Sequence, residues 1–128
     1  MTETPWRGVA IAEGFTSDRV IAQTHTVRTK NEVLEGEEGQ GEFNFHFIEV
    51  PDAQLDQIVR AATETLKPSW YLHLVKDGRM IVAFEGKSFT ITKDDTQAIA
   101  EVKAYATGNG VHPEQIELER LFDHPYDD

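Results

Sequence analysis

The chain reads as an α+β protein: an antiparallel sheet of about five strands with two main helices packed on one face. Three observations carry that prediction. Phe43-Asn44-Phe45-His46-Phe47-Ile48 alternates strictly and puts three phenylalanines on one side of an extended chain, with Glu42, Asn44 and His46 on the other. Asp77-Gly78 stands between two β-rich runs, Trp70–Lys76 and Arg79–Phe84, and is strong two-residue hairpin chemistry. Leu55, Ile58, Val59, Ala62 and Leu66 recur at three- and four-residue intervals, the stripe of a helix facing a core.

The remaining elements follow in order. Val20 to Val33 is rich in Val, Ile and Thr and favours extended structure. Ser17 can instead cap one helical turn through Val20 and Ile21, so the strand is read from about Thr24. A loop of glycines among acids, Gly36-Glu-Glu-Gly-Gln-Gly41, joins it to the phenylalanine strand as a long hairpin. Pro51-Asp52 opens the amphipathic helix and Lys67-Pro68 ends it. Beyond the Asp77-Gly78 hairpin, Glu85-Gly86 turns the chain into a third run, Lys87–Thr92. Thr92 with Asp95 resembles a capping box. The helix it starts carries Ile99, Val102 and Ala106 inward until Gly108-Asn109-Gly110 stops it. His112-Pro113 suggests one helical turn, followed by a short extended piece with Ile116 and Leu118.

A two-residue turn at Asp77-Gly78 sets Lys76 opposite Arg79, Val75 opposite Met80, Leu74 opposite Ile81, His73 opposite Val82 and Leu72 opposite Ala83. One face then carries Tyr71, His73, Val75, Met80, Val82 and Phe84, joined by Phe89 and Ile91 if Glu85-Gly86 is also a two-residue turn. The other carries Trp70, Leu72, Leu74, Ile81 and Ala83. Both are apolar, unlike an antiparallel sheet exposed on one side. If the two helices share the first face, the second needs other cover. Trp70, Leu72 and Leu74 thus form a candidate binding surface for a second copy or another partner; the alternative is that the chain's own N-terminal strands pack there.

Charge is distributed unevenly. The 128 residues hold 12 Lys+Arg against 23 Asp+Glu, a formal charge of −11, which argues against a chain built to hold a nucleic-acid backbone or an anionic membrane. Residues 32–42 carry five acids and no base, and residues 113–128 carry six acids against Arg120. The rest is nearly neutral, so a single domain over residues 1–128 is expected to bear two acidic appendages, the loop at 35–42 and a tail at 119–128. That distribution also disfavours an acidic mimic of nucleic acid, which needs carboxylates ordered along a rigid face. Lys76, Arg79, Lys87 and Lys93 cluster on the hairpin region with aromatic neighbours; Arg79 and Lys87 are its candidate binding cations. Without cysteine there is no disulfide, thiolate metal site or Cys nucleophile. Neither a signal-peptide core nor a span of ~20 apolar residues occurs, and a soluble cytoplasmic protein is expected.

Catalytic signatures are sparse. Nucleophile-elbow, phosphate-loop and dinucleotide motifs are absent, and no two of the five histidines share a helix face at ligand spacing. Strand alternation offers only His25 and His46 on one face with Glu42, and no metal or cofactor is assigned. His73 is the exception worth weighing: set between Tyr71 and Val75 and opposite Val82, a desolvated imidazole is pushed toward its neutral form. His73 with Tyr71 is therefore the candidate catalytic pair. The competing reading is a core histidine hydrogen-bonded to backbone or to the Tyr71 hydroxyl.

The segment Leu66–Ile91 resembles small, functionally uncharacterised prokaryotic proteins. In these a helix ending in Lys-Pro or Lys-Gly leads to a Trp-Tyr-x-His strand, an Asp-rich turn and an Ile-Val-x-Phe-x-Gly-Lys strand, here Trp70-Tyr-Leu-His73, Asp77-Gly78 and Ile81-Val-Ala-Phe-Glu-Gly-Lys87. The resemblance implies a compact α+β domain and a prokaryotic source, and transfers no residue role. The functional expectation is a small binding or protein-interaction module, with a homodimer through the sheet as one form. Its rival is a small enzyme using a His73-centred pocket for acid/base chemistry.

Overall fold

A computed structural model describes residues 5–32, 43–111, 116, 118–124 and 126. Its strands are β1 (Trp6–Ile11), β2 (His25–Glu32), β3 (Phe43–Val50), β4 (Leu72–Lys76), β5 (Arg79–Phe84) and β6 (Lys87–Thr92). Its helices are α1 (Arg19–Gln23), α2 (Leu55–Thr65), α3 (Thr96–Gly108) and α4 (Leu118–Asp123). The strands form one six-stranded sheet in the order β2-β3-β1-β4-β5-β6, each neighbouring pair antiparallel. The α+β architecture stands as expected, with one strand more.

The additional strand is β1. Trp6-Arg-Gly-Val-Ala-Ile shows no polar alternation because it lies at the centre of the sheet, where Trp6, Gly8, Val9 and Ala10 are all buried. Gly8 is required there: a Cβ at this position would lie 1.9 Å from the His73 carbonyl oxygen of β4. Between β3 and β4, β1 joins the N-terminal hairpin to the β4-β5-β6 meander.

Both hairpins hold their expected pairing. Leu72↔Ala83 through Lys76↔Arg79 is the register set by Asp77-Gly78, both of whose residues take positive φ. The turn at Glu85-Gly86 likewise pairs Phe84 with Lys87, putting Phe89 and Ile91 on the Val82 face. Strand β2 begins at His25, and the turn before it is helical: the Arg19 N–H donates to Ser17 Oγ at 3.3 Å.

The two main helices lie on opposite faces rather than sharing one. On the first face, Ile58, Ala61 and Ala62 of α2, with Val20 of α1, pack on Trp6, Ala10, Ile48, Leu72, Leu74 and Ile81. On the second, Ile99, Val102 and Ala106 of α3 and Leu118, Leu121 and Phe122 of α4 cover Val75, Met80, Val82, Phe84 and Ile91. With apolar side chains on both sides of the meander, one helix on each side buries more than two on one. A third cluster, Val9 with Phe43, Phe45 and Phe47, continues the second face beneath Tyr126 and Trp70.

Two local expectations change. Thr92 is still in β6, paired to Arg79, so it cannot cap α3; Asp95 does, its carboxylate accepting the Ala98 N–H at 3.0 Å. Asp95→Ala is expected to cost about 1 kcal/mol, read as a lower urea midpoint at unchanged m-value. Leu118, expected in an extended piece, instead begins α4, whose buried Leu118, Leu121 and Phe122 follow helical spacing, while the helical turn expected from His112-Pro113 lies outside the described residues. Within the acidic tail, Leu121 and Phe122 are thereby buried in the core, with Glu119 paired to Lys103 and Asp123 to Lys93 at the surface. The glycine-rich loop at 35–42 lies outside the described residues.

Candidate binding site

The surface predicted at Trp70, Leu72 and Leu74 is covered. Leu72 and Leu74 are buried beneath α2, on the face read as open. Trp70 is half-buried in the turn before β4: its ring centroid is 5.6 Å from that of Phe43, and a Cβ on Gly14 would come within 2.6 Å of the indole. The turn closes through a Trp70 N–H bond to the Lys67 carbonyl, with Ser69 at φ 72°.

The two predicted cations part company. Arg79 sits at the Asp77-Gly78 end of the hairpin, its guanidinium 5.5 Å from the Trp6 ring centroid. Beneath it the Asp52 carboxylate accepts the Trp6 indole N–H at 2.7 Å and the Lys76 ammonium at 2.7 Å. Lys76, although it flanks the turn, is only 7% exposed. Strand period contained that signal, because Leu72, Leu74 and Lys76 alternate onto one face; the Asp52 carboxylate, 24 residues earlier, did not show in it.

Lys87 lies on the opposite face at the Glu85-Gly86 end, beside a group of rings that the sequence reading assembled only in part. Phe84 is buried at its centre, with ring centroids of Tyr105 at 5.1 Å, Phe89 at 5.9 Å and Tyr71 at 6.2 Å. Phe89 and Tyr105 meet edge-on at 5.1 Å, and the Lys87 ammonium stands 5.0 Å and 5.3 Å from their centroids. Tyr71, Phe89 and Tyr105 are half-buried and Lys87 is exposed, so the group opens to solvent. Tyr105 was missed as a site residue because it arrives from α3, where helical spacing alone reads as core.

His73, the other residue singled out, is 5% exposed on the same face, its ring centroid 6.5 Å from that of Tyr71. Of the pair, Tyr71 is the one that reaches the surface.

The histidines of the N-terminal hairpin separate. A bulge between Thr26 and Arg28 shifts the pairing, so His25 stands opposite Glu49 while His46 stands opposite Thr29, on the other face. Among the described residues no three His, Cys, Asp or Glu side chains group as metal ligands. Near His46, Glu13 accepts the Asn44 backbone N–H at 2.6 Å and its side-chain amide at 2.7 Å. Desolvation by itself raises the Glu13 carboxyl; the two Asn44 donors, its own backbone N–H and His46 together outweigh this and hold it below its ordinary 4.5. Stability from this lowering is fully present above about pH 4.5 and is lost as pH falls through the folded-state value. Glu13→Gln is therefore expected to shrink the drop in urea midpoint between about pH 6 and pH 3.5.

Among the described residues no helix is long and apolar enough to cross a membrane. Comparison with protein-family models, curated proteins and solved structures finds no match to the chain.

Proposed function

We propose that the chain is a small protein-interaction module that receives an extended partner segment along the outer edge of β6. The observation that carries this reading is positional. Each sheet face has helices of the same chain on it, whereas β6 ends the strand order and, among the described residues, pairs only with β5. Unpaired backbone groups on such an edge are a template for strand addition. Strand β2 at the other end has features that discourage pairing, a bulge and the cations Arg28 and Lys30. In β6 the register runs without a shift, and Ser88, Phe89, Thr90, Ile91 and Thr92 are mostly strand-favouring residues. Lys87, Phe89 and Tyr105 then supply side-chain recognition beside the backbone ladder. This assigns a binding role to predicted residue Lys87 and leaves Tyr71 at the margin of the surface.

Peptides of about nine residues selected by display against the intact chain test this reading. Selected sequences are expected to alternate apolar and polar residues and to slow hydrogen exchange at β6. Selection of peptides that protect another segment and leave β6 unchanged would exclude it.

A further inference from the structure

Resting on that edge reading, we infer that a second copy of this chain is an occupant of β6, paired antiparallel about a two-fold axis through Phe89. Symmetry limits the arrangements. A two-fold axis perpendicular to the sheet returns each side chain to its own face, so paired residues must both be odd-numbered or both even-numbered. Two such registers overlap five residues of β6. Centred on Thr90, the pairing sets Lys87 opposite Lys93 of the second copy, like charges across the junction. Centred on Phe89, it sets Phe89 on its own equivalent, Ser88 opposite Thr90, and Lys87 opposite Ile91. It also brings Glu85 to the level of Lys93 of the second copy, and by symmetry does so twice. Charge thus selects the Phe89 register.

The residues involved are suitably placed. Glu85, Lys87, Ser88, Thr90 and Lys93 are exposed and Phe89 is half-buried, so self-pairing would cover an aromatic ring the monomer leaves partly in water. Lys93 already donates to Asp123 at 2.6 Å, and an ammonium with three donors can serve both carboxylates. Of the two densest runs of acid, 32–42 lies away from β6 in sequence, and 113–128 brings Asp123 to Lys93. The product is one continuous sheet across two copies, with α3 and α4 of each on the same side.

Sedimentation over about 1 to 300 µM tests the pairing, with circular dichroism verifying that each variant folds. The wild-type chain is expected to be a monomer–dimer mixture. Glu85→Lys and Lys93→Glu should each raise the dimer Kd about ten-fold by converting two attractions into repulsions, and the double variant should return it to near the wild-type value. Rescue by the double variant separates the junction from the lost Asp123 contact, which the second substitution does not restore. A chain monomeric throughout overturns the inference, as does a dimer indifferent to either single change. In the monomeric case the edge reading still stands or falls on peptide protection of β6.

Discussion

Gly8→Ala is expected to remove more than about 4 kcal/mol, most of the stability of a domain at the low end of the typical range of about 5–15 kcal/mol. The added methyl would need to occupy space 1.9 Å from the His73 carbonyl oxygen and 3.2 Å from Leu74 Cδ2. The oxygen belongs to backbone and cannot rotate aside. Relief requires β1 to withdraw from β4, and that seam is where the two halves of the sheet join. Gly108→Ala is the matched control: it ends α3 with no atom within 4 Å of the new methyl and no positive φ, and should stabilise by about 0.5–1 kcal/mol. Urea midpoints of the two variants should move in opposite directions from wild type.

Phe84→Ala should cost about 3–5 kcal/mol, the range for deleting a buried aromatic ring. Phe84 is 2% exposed and supports Tyr71, Phe89 and Tyr105 at once, so the cavity would lie directly under the proposed recognition surface. Two readouts separate fold from surface. Far-UV circular dichroism should keep its shape below a lowered melting temperature, while the near-UV signal of the tyrosines weakens as their packing is lost. Phe84→Leu fills most of the space and is expected to recover about half of the lost stability. A variant as stable as wild type would show that the ring group does not hold the α3 side of the sheet together.

Both predictions concern contacts between segments distant in sequence, where reading the chain by itself was weakest. Its strengths were local. Every pair from Leu72↔Ala83 to Lys76↔Arg79 is present because Asp-Gly selects a turn that leaves the strands no second register. Of the predicted stripe Leu55, Ile58, Val59, Ala62 and Leu66, Ile58, Ala62 and Leu66 are buried and Leu55 and Val59 half-buried, and Ile99, Val102 and Ala106 of the second helix are buried, as period predicts. Candidate site residues were less legible. Leu72 and Leu74 are core because α2 covers them, and hydropathy cannot distinguish a residue covered by its own chain from one awaiting a partner. Lys76 and Asp52 meet 24 residues apart, and Lys87 and Tyr105 come together only because α3 returns over β6.

By itself, then, the sequence determined most of the elements, the register of the meander and the apolar character of both its faces, since turns and side-chain periodicity act over a few residues. Tertiary structure alone decided that Trp6–Ile11 fills the centre of the sheet, that the helices divide between the faces, and that Leu118–Asp123 packs on it as α4. These depend on which distant surfaces bury each other best. With helices of the chain on both faces, the described residues leave the β6 edge, rather than a face, as the surface proposed for a partner.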